Sequence, residues 1–124
     1  MTPLADIRRD ERGGAAVEYA LVLPVFITLI VGALCAGNLL FAINGLHYAV
    51  QDAARCAAVK TTICADSSTT VSYAQSRYSG PNIAPNFTFS TSGCGHTVHG
   101  SASYPLMLGA YTINVPISAS ACYP

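Results

Sequence analysis

RGGAAVEYALVLPVFITLIVGALCAGNLLFAINGL, residues 12–46, decides how the rest of the chain must be arranged. From Tyr19 to Leu46 there is no charged side chain, and Val, Leu, Ile, Phe and Ala dominate. That run exceeds the roughly 20 apolar residues a helix needs to cross a bilayer. It predicts a transmembrane helix over about residues 19–43. Glu18 stands at its border, where a carboxylate carried into the middle of a membrane helix would cost about 2.5 to 3.5 kcal/mol. An acid in that position calls for a partner or a purpose.

Working outward, Ala15 onward is helix-forming, with Pro24, Gly32, Gly37 and Gly45 as the breaks. Membrane helices tolerate such residues, and Pro24 removes the donor for the Ala20 carbonyl, which predicts a local bend. Gly32, Ala33, Ala36 and Gly37 are small enough to form a contact face for a neighbouring helix. After Asn44 the pattern turns amphipathic: Leu46, Ala49, Val50, Ala53 and Ala57 recur at helical spacing, with Gln51, Asp52, Arg55 and Lys60 elsewhere. One long helix over residues 14–60 is expected, its segment 44–60 extending beyond the membrane.

Residues 1–13 read as a short polar leader. Asp6, Arg8, Arg9, Asp10, Glu11 and Arg12 place half of the chain's twelve charged residues there. Arg8, Arg9 and Arg12 favour a cytoplasmic N-terminus by the positive-inside rule. An ordinary cleaved signal fits poorly: the apolar run is too long and the region near Cys35-Ala36-Gly37 is a weak cleavage site. The tail after Lys60 keeps only Asp66 and Arg77. With formal net charge zero and 10% charged residues, no basic face exists to track phosphates, so nucleic acid is not an expected partner.

Residues 61–124 are too few to rely on a hydrophobic core alone. Of the five cysteines, Cys35 lies in the apolar run and reads as a small apolar residue. Cys56, Cys64, Cys94 and Cys122 follow it and are the disulfide candidates for an extracytoplasmic compartment. Four cysteines allow three pairings; proximity in sequence suggests Cys56 with Cys64 and Cys94 with Cys122. Residues 61–72, rich in Ser and Thr, read as a loop with a short helical turn after it. Beyond the turn signals at 79–82 and 84–86, alternation predicts strands at 86–91, 97–106 and 111–121. Pro105 and Pro116 argue for short or edge strands. The fold class expected is α+β: a long N-terminal transmembrane helix, then a small disulfide-stapled antiparallel sheet.

Chemistry has little footing. After Gly13 the acids are Glu18, Asp52 and Asp66, and no paired carboxylates or Ser/His/Asp signature stands out, so no enzyme, cofactor or metal is expected. Cys94, His96 and His99 resemble metal ligands by type, but a disulfide competes for Cys94. His47 reads as an interfacial hydrogen-bonding group, and Asn86-Phe87-Thr88 matches a glycosylation sequon that recurs by chance.

The segment RGGAAVEYALVLP at 12–24 resembles the N-terminus of TadE-like pilins, minor components of the tight-adherence (type IVc) pilus system. Residues 52–58, DAARCAA, resemble that family's helix after the membrane, and 101–105 and 117–121 are similar to its terminal strands. The resemblance implies a substrate of prepilin peptidase, cut between Gly13 and Gly14 so that Glu18 becomes the fifth residue and Tyr19 follows it. It also implies other pilin subunits and the assembly machinery as partners, the bacterial inner membrane as location, and surface adhesion as the purpose. A reading of a different class is a signal-anchored extracytoplasmic binding module that never enters a filament.

Overall fold

The computed structural model describes residues 12–124; most of the expected leader, residues 1–11, lies outside the described residues. Five elements follow in order: α1 Arg12–Val59, α2 Ser67–Arg77, β1 Asn86–Ser92, β2 Gly95–Leu108 and β3 Tyr111–Tyr123. The expected α+β class is met: a long apolar helix, then three antiparallel strands in the order β1-β2-β3. The chain divides into two units, one ending at Leu34 and the other running Cys35–Pro124.

In the first unit every residue from Gly13 to Leu34 is exposed. A helix that is apolar all round and covered by none of the described residues is one suited to lipid. Pro24 sits inside α1, which continues through it. The Thr28 hydroxyl donates to the Pro24 carbonyl at 2.7 Å.

The second unit holds the core. Ala42, Leu46, Ala49, Val50, Ala53 and Ala54 of α1 are buried against Phe87, Val98, Ile117 and Ala119 of the sheet and Ala74 of α2. The small side chains form a stripe on α1 along which other elements can lie close. On the sheet, the register pairs Phe89 with Val98, Phe87 with Gly100, Gly100 with Ala119 and Ala102 with Ile117. One face is therefore apolar and turned to the helix, while Thr88, His99, Ser103, Ser118 and Ser120 occupy the exposed one.

Both prolines enter strands longer than expected. β2 is the central strand, yet its pairing with β1 stops at Asn86 with Ser101, so Pro105 lies where β2 has only β3 beside it. Pro116 is on the edge strand β3. Pro105 faces Asn114 and Ser103 faces Pro116, two pairs apart. Both prolines thus share one class of pair, and a single register leaves both ring nitrogens pointing away from the partner strand.

A correction concerns residues 67–72, expected as loop. They form the first half of α2, an eleven-residue helix. Its N-cap is Asp66, whose Oδ1 accepts from the Thr69 backbone N–H at 2.8 Å, while Thr69 Oγ1 accepts from the Asp66 N–H at 3.0 Å. This reciprocal capping box outweighs the modest helix propensity of Ser and Thr.

Candidate functional site

Residues 13–19 open the apolar helix. Gly13 and Gly14 are helical and exposed, and a Cβ at either would meet nothing within 4 Å. Two adjacent glycines weaken a helix by roughly 1 kcal/mol each relative to Ala, so this first turn opens readily into an extended peptide. Gly14 and Glu18 are four residues apart and share a helix face. Glu18 and Tyr19 are both exposed, and no acidic residue occupies the first turn of α1. Gly32, Ala33, Ala36 and Gly37 are exposed too, and neither Gly32 nor Gly37 has an atom near its would-be Cβ.

In the second unit, Cys56 is bonded to Cys64 and Cys94 to Cys122. The first bond ties the end of α1 to the loop before α2, beside Ala57, Tyr73 and Phe89. The second ties the β1–β2 turn to β3. Cys35 is free and partly buried. His96 and His99 do not converge: successive odd and even positions put them on opposite faces of β2. The His96 ring stacks on Phe89 with centroids 5.9 Å apart, and its Nδ1 is buried without a hydrogen-bond partner. His47 and Asn86 are exposed.

One polar cluster escaped the sequence reading. Asp52 Oδ2 on α1 accepts from the Tyr73 hydroxyl and from Arg77 Nε, each at 3.1 Å, and the Arg77 guanidinium lies 5.0 Å from the centre of the Tyr73 ring. Tyr73 and Arg77 are one helical turn apart on α2, and their meeting with Asp52 depends on α2 packing against α1. The cluster clamps α2 to α1. Gly45 contributes to the same junction: a Cβ there would run into the Ser79 carbonyl oxygen, so only glycine lets the chain after α2 lie on the helix. Tyr78, next to that contact, donates to the Pro81 carbonyl at 2.8 Å, and burial pushes its phenol pKa up.

Among the described residues, one helix is long and apolar enough to cross a membrane, and the small sheet unit follows it. Together they define a protein with an N-terminal membrane anchor and a C-terminal α+β domain. Residues 13–55 match the model of the family described as TadE-like protein, in agreement with the resemblance carried by the glycine pair, Glu18 and Tyr19. The match starts at Gly13 and ends at Arg55, within α1 and just short of the buried Cys56 and Ala57. No curated protein and no solved structure matches the chain.

Proposed function

We propose that this chain is a structural minor pilin or pseudopilin of a tight-adherence, type IVc pilus, working by packing rather than by turnover. It is inserted in the bacterial inner membrane with its N-terminus cytoplasmic and its cysteine-bonded domain outside. Prepilin peptidase cuts between Gly13 and Gly14, where paired glycines let a protease approach an unwound backbone. The new amine of one subunit then meets Glu18 of the next, and the pair neutralises a carboxylate that is costly in an apolar bundle. Gly32, Ala33, Ala36 and Gly37 allow the neighbouring helices to close on one another. Other pilin subunits and the assembly machinery are the partners, and adhesion to a surface is the outcome.

The observation that carries this reading is the family match over 13–55, which takes in the glycine pair, the bordering acid and the apolar helix together. The test is mass spectrometry of the mature, unreduced protein combined with the Glu18→Ala variant. A product beginning at Gly14, and an inserted variant that no longer assembles, are the expected results. A product retaining the leader, or one cut near Gly37, would favour the anchored binding module. Normal assembly of Glu18→Ala would remove the pairing role.

A further inference from the structure

We propose that the end of the β2–β3 hairpin, residues 106–113, is a second membrane contact that rests in the headgroup layer of the bilayer. This goes beyond the pilin reading and depends only on α1 being a membrane anchor. The hairpin end is apolar and uncovered: Met107 is 70% exposed, Leu108 50%, Tyr111 77% and Ile113 50%. Leu106 faces Ile113 and Leu108 faces Tyr111, so these four continue the sheet face that, further along, covers the helix with Ala102 and Ile117. The chain carries no Asp, Glu, Lys or Arg after Arg77, so no charge must be desolvated there. An apolar patch of this kind on a chain already tied to a bilayer marks a contact surface.

The direction of the hairpin selects lipid as the occupant. Ala121, Cys122 and Tyr123 line one hollow with Gln51, Asp52 and Arg55, whereas Gly100, opposite Ala119, abuts Leu46, whose Cδ1 would be 3.0 Å from a Cβ there. Moving back along β3 therefore moves toward the start of α1. The hairpin end is therefore directed away from Arg55 and toward the uncharged stretch of α1.

Backbone chemistry sets the depth. Since pairing of β1 with β2 ends at Ser101, both edges of the hairpin beyond it are open. Open edges are excluded from hydrocarbon but are satisfied by water and headgroups. The pairs from Leu106–Ile113 to Leu108–Tyr111 span about 7 to 10 Å, the depth to which interfacial segments sink, and a tyrosine at the tip suits that layer.

The chain has no tryptophan, so single substitutions report position without background. The full-length protein is reconstituted in phosphatidylcholine–phosphatidylglycerol vesicles containing lipid brominated at a shallow acyl position. Tyr111→Trp, Met107→Trp, Tyr123→Trp and Phe26→Trp are compared, with both disulfides verified on unreduced protein. The expected result is blue-shifted emission and about twofold or greater quenching for Tyr111→Trp and Met107→Trp, with Tyr123→Trp unaffected. Unquenched, water-like emission at both hairpin positions with quenching of Phe26→Trp overturns the proposal while leaving the anchor intact. Shielded but unquenched emission that is lost on dilution with lipid also overturns it, because a second copy then covers the hairpin. Absence of quenching at all four positions overturns it together with the anchor.

Discussion

Asp66 illustrates how a single side chain outside the membrane sets a local structure. Its carboxylate takes hydrogen bonds from the Thr69 N–H first, then from the Ser68 and Thr69 hydroxyls, and these hold its pKa below the ordinary carboxylate value. A group whose pKa is lowered by folding stabilises the fold fully above its unfolded pKa and loses that contribution as pH falls through the folded one. The N-terminus of α2 is therefore expected to loosen as pH falls through and below the ordinary aspartate range. Asp66→Asn, which caps without a charge, should lose most of that acid dependence while keeping the helix. Amide exchange of Ser67–Arg77 across this range is the measurement; equal acid sensitivity in both proteins would assign the effect to another group.

Among the elements, the two disulfides differ in what they restrain. Cys56 and Cys64 are 8 residues apart, and Cys94 and Cys122 are 28 apart. In the loop-entropy account the shorter closure is worth about 2.5 kcal/mol and the longer about 3.6 kcal/mol. Paired replacement of Cys94 and Cys122 by Ser should therefore lower the unfolding midpoint of the extramembrane domain more than the same change at Cys56 and Cys64. Denaturation followed by near-ultraviolet circular dichroism in detergent decides the order. The hairpin elements are set by local chemistry of another kind. Leu108 faces Tyr111 across Gly109-Ala110, and Gly109 has φ 63° at the first turn position, as a type II′ turn requires.

For the domain as a body, Leu46 is the position on which most depends. It is 1% exposed, belongs to the cluster joining α1, α2 and the sheet, and touches the site of Gly100. Leu46→Ala should cost about 2 to 5 kcal/mol. Because the residue lies past the span expected at 19–43, membrane insertion should be unchanged while protease resistance of Cys35–Pro124 falls. Limited proteolysis in vesicles separates the two effects. What the residues alone determined is the anchor, the helical stripe through Ala57, the three strands and the segment 12–24 that carries the family resemblance. Each is a local pattern of hydrophobicity or spacing, readable without knowing what lies opposite. The tertiary structure alone decided that α2 is clamped to α1 through Asp52, Tyr73 and Arg77, that Gly45 admits Ser79, and that Pro105 can enter a central strand. Those depend on which groups meet across 20 or more residues, and on where a neighbouring strand happens to stop, neither of which is written in any single window of sequence.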